Sequence, residues 1–138
     1  MPDHVLHPDD VTLQTILQLL DDALFEVELD EENQSILLRE EILARIRLSD
    51  NNDRLLLICY YKMQEDAERL DRLELVNRIN DQYVLVRAAI GDEDELWLDY
   101  AIVLKGGVTR KQVAQAVRMF LKIAEVAVKD CDEDNIVT

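Results

Sequence analysis

The chain has 138 residues, 49% of them hydrophobic, and its 30 acidic and 15 basic residues give a formal net charge of −15. A chain of this length is expected to form one globular domain that buries roughly two-thirds of its unfolded surface. The negative charge disfavours nucleic acids and anionic membrane surfaces as partners, because their phosphates repel an acidic protein.

The predicted elements begin with an amphipathic helix over residues 11–24. Leucines recur there at intervals of three and four, which is the period of a helix with one buried face. Asp9 or Asp10 is placed to cap its first turn. The apolar period then changes from about 3.6 to 2, which indicates a strand over residues 25–29. The next three predicted strands form an antiparallel meander over residues 35–38, 42–48 and 55–63.

The second half of the chain begins with a helix over residues 65–79, near whose end Asn77 and Asn80 are suited to hydrogen-bond to the next strand or to cap the helix. Thr109 and Gln112 form a capping box, which predicts the start of the last helix. Two strands lie between these helices, at residues 83–90 and 96–104 around an acidic turn.

This element order predicts an α+β fold with an antiparallel five- to six-stranded sheet and three helices, in the order α-β-β-β(-β)-α-β-β-α. We expect a single domain over residues 1–138, with a flexible leader at 1–8 and a flexible acidic tail at 130–138. The chain has two cysteines, no charged leader followed by an apolar stretch, and no apolar run of about 18 residues. We therefore expect it in the cytoplasm.

Two predicted strands, at residues 55–63 and 96–104, carry apolar side chains on both faces of the sheet. Three helices can cover one face of such a sheet but hardly both, so we expect a second copy or a polypeptide client on the other face. This predicts a homodimer that binds a partner protein. The expected contact residues on the second face are Ile58, Tyr60, Trp97 and Val103.

Two alternatives remain open for that face. Long side chains and the twist of the sheet could cover it within one subunit, and Trp97 and Tyr60 would then belong to the core. Arg45, Arg47 and Arg87 lie on strand faces and are expected to form salt bridges or a rim, although a client that carries carboxylates could use them. The overall acidity suits a binder of basic or hydrophobic segments, or it serves solubility alone.

Residues 76–121 contain four features of one family: the sequence VNRIN at 76–80, a hairpin with an acidic turn, LKGGVT at 104–109 before the last helix, and MFL at 119–121. With these features the stretch resembles the YbjN family of bacterial proteins. Members of the family look like type III secretion chaperones, which are small, acidic, dimeric α+β proteins that hold segments of partner proteins. The resemblance thus implies a chaperone-like or regulatory protein-binding role without catalysis.

The sequence predicts no catalytic residue, no metal site and no cofactor. His4 and His7 are the only histidines, and no cysteine lies near them to complete a zinc site. No serine occupies a nucleophile elbow, and Cys59 has no histidine within predictable reach. The alternative function is a small-ligand sensor domain in bacterial signalling, which would use a pocket between the sheet and the helices.

Overall fold

A six-stranded antiparallel sheet with three helices forms the structure, which is a computed structural model that describes residues 5–138. The elements in chain order are β1 Val5–Leu6, α1 Leu13–Asp22, β2 Val27–Asp30, β3 Ser35–Arg39, β4 Leu43–Leu48, β5 Arg54–Tyr61, α2 Arg69–Gln82, β6 Arg87–Ile90, β7 Leu96–Val103, β8 Val108–Thr109 and α3 Arg110–Cys131. This confirms the predicted α+β class and the predicted order of helices and main strands. The paired two-residue strands β1 and β8 were not predicted.

The strands of the large sheet lie in the order β2-β3-β4-β5-β7-β6, and each pair is antiparallel. The order departs from the chain order only at its end, because the β6–β7 hairpin adds to β5 through β7. All eight residues of β7 pair with β5, whereas β6 pairs with only the first four, Leu96 to Asp99. The second half of β7 therefore extends beyond its outer neighbour.

The first helix is capped by Thr12, so the prediction that Asp9 or Asp10 caps it was wrong. The Thr12 hydroxyl accepts a hydrogen bond from the Thr15 amide at 3.1 Å, and the Thr15 hydroxyl accepts one from the Thr12 amide at 2.8 Å. The two aspartates lie in a short 3₁₀ turn, Pro8–Asp10, and the buried Val11 separates this turn from the helix. The helix therefore begins two residues later than its apolar pattern indicates.

The same helix ends at Asp22, which leaves Leu24 outside it. Leu24 has a φ of 72° and is 92% exposed. The amides of Leu24 and Phe25 donate to the carbonyls of Asp21 and Leu20, both at 3.0 Å, which is the Schellman arrangement. That arrangement requires the left-handed conformation that Leu24 adopts, so this leucine does not contribute to the buried face of the helix.

The last helix has the predicted capping box, in which Thr109 and Gln112 exchange side-chain to backbone hydrogen bonds of 3.0 and 2.8 Å. Its buried side chains join the core on the helix-covered face of the sheet, where Phe120 is 1% exposed and stacks on Tyr100 with a ring-centroid distance of 6.5 Å. No helix among residues 5–138 is both long enough and apolar enough to cross a membrane.

A buried arginine, which the sequence did not single out, fixes the start of α2. The side chain of Arg72 is 7% exposed, and its guanidinium donates to the carbonyls of Gln64 and Glu65 at 2.9 and 3.3 Å. It also lies 3.3 Å from the carboxylate of Asp94 in the β6–β7 turn. Arg72 thus joins the helix to two loops that are distant in sequence.

The predicted leader and tail both contact the body of the protein in their described residues. In the leader, Leu6 is buried. In the tail, Ile136 is buried, and its carbonyl accepts a hydrogen bond of 2.8 Å from the amide of Gln64. The flexibility of both segments stays a prediction, which amide exchange would measure at Leu6 for the leader and at Ile136 for the tail. His4, half of the histidine pair considered for a metal, lies outside the described residues.

Candidate functional site

The two faces of the sheet differ in what covers them. One face bears the buried side chains that form the hydrophobic core with α1, α2 and α3. The opposite face, here named the open face, carries apolar side chains of which none, among residues 5–138, packs against that core. These apolar residues are Leu37, Leu43, Leu56, Ile58, Tyr60, Ala89, Trp97, Ala101 and Val103.

All four residues predicted to contact a partner lie on the open face. Tyr60 is 38% exposed and Val103 is 58% exposed, while Ile58 and Trp97 are half-buried. Tyr60 and Trp97 face each other across β5 and β7, and the guanidinium of Arg87 lies 5.4 Å from the centroid of the Trp97 ring. The alternative that placed Trp97 and Tyr60 in the core was wrong, whereas their contact with a partner stays a prediction.

The open face also concentrates positive charge on a strongly acidic protein. Its strands carry five arginines, Arg39, Arg45, Arg47, Arg54 and Arg87, against three carboxylates, Glu28, Asp30 and Asp99. The whole chain has a formal charge of −15. The strand residues of this face therefore carry a net positive formal charge, opposite in sign to the charge of the whole molecule.

Three of these arginines form close ion pairs within the face, as the sequence predicted for Arg45 and Arg87. Arg39 donates to Glu28 at 3.0 Å. Arg45 donates to Asp30 at 2.8 Å, and Arg87 donates to both oxygens of Asp99 at 2.6 and 3.0 Å. Hydrogen bonds from Asn33 and then from Arg45 lower the pKa of Asp30 to about 2. The charges of all three arginines are therefore partly compensated.

The positive charges of Arg47 and Arg54 are less compensated by nearby carboxylates. Arg47 is exposed and has no ion-pair partner among residues 5–138. The ion-pair partner of Arg54 in the same described range is its chain neighbour Asp53, at 3.4 Å, and both side chains are partly exposed. Exposed pairs of this kind contribute little to stability, so Arg54 exchanges partners at little cost.

A groove of about 640 Å³ lies where the open face meets the connection between α2 and β6. Its lining residues are Arg47, Arg54, Leu56, Leu57, Ile58, Val84, Leu85, Val86, Arg87, Asp99, Tyr100 and Ala101. Val84 is 97% exposed and Leu85 is 45% exposed, so they form an apolar wall that the subunit itself does not cover.

This wall exists because β6 begins at Arg87, four residues later than the strand that the sequence predicts from Tyr83. The helix before it extends to Gln82, and the segment after it leaves the helix layer before it joins the sheet. The sequence pattern suggested a strand here because residues 83–86 are rich in β-branched and aromatic side chains. Tertiary geometry overrides that local preference.

The thiols show no sign of activation for catalysis. Burial raises the pKa of Cys59 to about 12, and burial also raises the pKa of Cys131. A nucleophilic cysteine needs the opposite shift, because the thiolate is the reactive form.

Three carboxylates come together elsewhere, on Asp71, Glu74 and Asp134, and Arg78 supplies a counter-charge 3.7 Å from the carboxylate of Asp134.

The solved structures that share this fold include YbjN of E. coli and chains from two chaperone complexes. YbjN of E. coli, described as "a putative transcription regulator", matches with a TM-score of 0.76 and 20% identity over 93% of this chain and 96% of that chain. The chain from the HopA1–SchA chaperone–effector complex matches with a TM-score of 0.60 and 11% identity, over 84% of this chain and 92% of that chain.

The third comparison is with a chain from the complex of the Yersinia pestis type III secretion chaperone SycH with a stable fragment of YscM2. The TM-score is 0.57 and the identity 12%, over 86% of this chain and 98% of that chain. A search of curated protein sequences finds no significant match. The model of the family YbjN, described as "Putative bacterial sensory transduction regulator", matches residues 12–133. The chain belongs to the YbjN family.

Proposed function

We propose that this chain is a non-enzymatic, chaperone-like protein-binding domain and that its open face receives a segment of a partner protein. The observation that carries the proposal is the apolar open face, on which Val103 and Tyr60 are exposed and to which no helix among residues 5–138 adds cover. Contiguous exposed apolar surface of this kind is typical of protein interaction sites.

The structural neighbours support the proposal by analogy. Two of them come from complexes of a chaperone with another protein. One is the HopA1–SchA chaperone–effector complex, and the other is the complex of the type III secretion chaperone SycH with a stable fragment of YscM2. Fold similarity alone does not carry a function across, so the proposal for this chain depends on the open face.

We also propose that the chain acts as a homodimer in the cytoplasm. The outer face of α2 presents Leu70, 63% exposed, and Leu73, 43% exposed, away from the open face. An antiparallel pairing of two such helices about a two-fold axis buries the leucines of both copies. The free thiols of Cys59 and Cys131 support a reducing compartment.

The test compares two substitutions that act on different surfaces. Ile58→Asp places a charge on the open face, and Leu70→Asp places the same charge on α2. We expect light scattering to give twice the chain mass of 16.0 kDa for the wild type and for Ile58→Asp, but the single mass for Leu70→Asp. A wild-type mass of one chain rejects the dimer, and a halved mass for Ile58→Asp makes the open face the dimer interface.

Client binding is tested by affinity capture from the source cell with the same two variants. We expect a protein that is captured by the wild type and by Leu70→Asp but is lost from Ile58→Asp. Circular dichroism spectra that match the wild type show that the lost capture is not caused by unfolding. If Ile58→Asp captures the same proteins as the wild type, the open face is not the client site.

The alternative function, a small-ligand sensor, is supported by the volume of the groove, although this groove lies on the open face and not between the sheet and the helices as predicted. About 640 Å³ falls within the range of small-molecule sites, which is about 300–1,000 Å³. A sensor would bind a metabolite from a cell extract after removal of all macromolecules, and mass spectrometry of the denatured complex would identify it. A metabolite displaced by Ile58→Asp, with no protein captured, favours the sensor over the protein-binding domain.

A further inference from the structure

The hydrogen bonds of Asn80 show which way the backbone groups of β6, the outer strand of the sheet, point. Its side-chain amide donates to the Ala88 carbonyl at 3.0 Å and accepts from the Ala88 amide at 2.8 Å. This confirms that Asn80 connects α2 to the next strand. It also shows that Ala88 turns its backbone groups away from β7, so α2 closes the outer edge of β6.

In an antiparallel pair, residues that turn their backbone groups toward the partner strand alternate with residues that turn them away. Because Ala88 turns away, its neighbours Arg87 and Ala89 face β7, where they pair with Asp99 and Trp97. The same two-residue period continues along β7. Ala101 and Val103 therefore direct their N–H and C=O groups away from β5, toward the outer edge of β7. β6 covers this edge only as far as Asp99.

Beyond Asp99 that side of β7 has no neighbouring strand among residues 5–138. Ala101 and Val103 are both exposed, which leaves the edge accessible. The other side of the same residues is paired with β5 throughout. Free edges with exposed N–H and C=O groups are templates for the addition of a further strand.

We propose that the free half of β7, residues 100–103, receives an extended segment of a partner protein in which apolar and acidic side chains alternate. The inference rests on the proposed protein-binding function and specifies the partner class and the docking edge. A segment of about four residues, ~13 Å long, matches the free half of the strand. Its apolar side chains contact Val84 and Leu85.

The acidic character of the segment follows from the arginines at the groove. Arg54 lies directly opposite Val103 on β5, and Arg47 lies opposite Leu56 on β4. Both line the groove together with Ala101, and Arg47 has no carboxylate partner among residues 5–138. Carboxylates on the segment therefore gain charge-assisted hydrogen bonds that a basic segment cannot form. If acidic side chains lined the groove in place of these arginines, a basic segment would be favoured instead.

The first test uses the free protein and needs no ligand. Amide hydrogen exchange followed by NMR should show fast exchange at Ala101 and Val103 and slow exchange at Tyr100 and Ile102, whose amides point to β5. Slow exchange at all four amides in the isolated chain means that the edge is already occupied and overturns the proposal.

The second test uses two acetylated, amidated eight-residue peptides as probes, one alternating Glu with Val and the other alternating Lys with Val. At 0.15 M salt, where distant charges are screened beyond about 8 Å, we expect the Glu–Val peptide to bind about tenfold tighter or more. It should slow the exchange of the Ala101 and Val103 amides. Equal binding, or preference for the Lys–Val peptide, overturns the acidic specificity.

Two matched pairs of variants locate the site. Val103→Pro removes one edge donor while Val103→Ala keeps it, and Arg47→Glu changes the net charge by the same amount as Lys111→Glu on α3. We expect Val103→Pro and Arg47→Glu each to weaken the binding of the Glu–Val peptide about tenfold. The controls Val103→Ala and Lys111→Glu should each weaken it less than twofold. Equal losses within a pair refute the role assigned to that edge or to that arginine.

A modified probe covers the case in which Val103→Pro does not fold. N-methylation of the Glu–Val peptide at all Val positions, or at all Glu positions, removes the hydrogen-bond donors from one edge of the peptide at a time. One of these two probes should lose binding, and full binding by both refutes strand addition. If client capture depends on Ile58 but every edge test fails, the proposed function stands and this inference falls.

Discussion

Replacing Asn80 by Ala removes the side chain that closes the outer edge of β6. Two hydrogen bonds are lost, of 3.0 and 2.8 Å, and both lead to the backbone of Ala88. Ala88 is only 4% exposed, so water reaches its freed N–H and C=O groups poorly. The variant therefore leaves two backbone groups without partners at a largely shielded position.

The expected cost follows from those two groups. A buried polar group that loses its partner costs about 1–3 kcal/mol, so the two together cost about 2–4 kcal/mol after partial solvation. Alanine is the better helix former by about 0.5 kcal/mol, which offsets a small part of the loss. Asn77→Ala is the matched control, because Asn77 lies on the same helix, is exposed and has no side-chain hydrogen bond among residues 5–138.

The assay is urea unfolding, followed by circular dichroism and by the fluorescence of Trp97, the only tryptophan. We expect the free energy of unfolding of Asn80→Ala to lie about 2–4 kcal/mol below that of Asn77→Ala, with an unchanged dependence on urea. The exchange of the Ala88 amide should also accelerate. A difference below about 0.5 kcal/mol between the two variants would refute the edge-closing role of Asn80.

Four further predictions follow from single positions. Leu24→Gly should raise the free energy of unfolding by about 1 kcal/mol, because Leu24 is 92% exposed and holds a φ of 72° that glycine adopts without strain. Phe120→Ala should lower it by about 3–5 kcal/mol through loss of a side chain that is 1% exposed; urea unfolding measures both changes. The pKa of Asp30 is lowered from 3.8 to about 2, so the stability it contributes is complete above about pH 5 and is lost as the pH falls through 3.8 and toward 2. The stability difference between wild type and Asp30→Asn should therefore shrink over that interval, and a constant difference contradicts this. Cys59, with its pKa raised to about 12, should react with a thiol reagent at pH 8 only after unfolding, and prompt labelling of the folded chain contradicts its burial.

The element types were predictable because their signals are local. The capping box of Thr109 and Gln112 uses residues three apart, and the alternation of apolar residues in β5 and β7 can be read within each strand. For the same reason the sequence showed that both strands carry apolar side chains on both faces. It was also enough to place Ile58 and Tyr60 opposite Leu57 within β5, and Trp97 and Val103 opposite Leu98 within β7. The pairing of β5 with β7 then brings all four to one face.

Features that depend on contacts distant in sequence were missed or misplaced. The strand predicted from Tyr83 starts only at Arg87, because α2 extends to Gln82 and Asn80 sets the edge of β6. The buried position of Arg72 depends on two loops that only the folded chain brings together. No pattern in the sequence indicates that Arg47 and Arg54, on different strands, line the same groove.

The sequence by itself determined the kinds of elements, their order and the excess of apolar surface on the strands, since each follows from the periodicity of neighbouring residues. Only the tertiary structure decided which face the helices cover, where the sheet edge is closed by Asn80 and where it stays free beyond Asp99. The physical reason is that strand order and helix placement depend on pairings between distant residues. Free backbone groups and compensated charges therefore become visible only when those pairings are known.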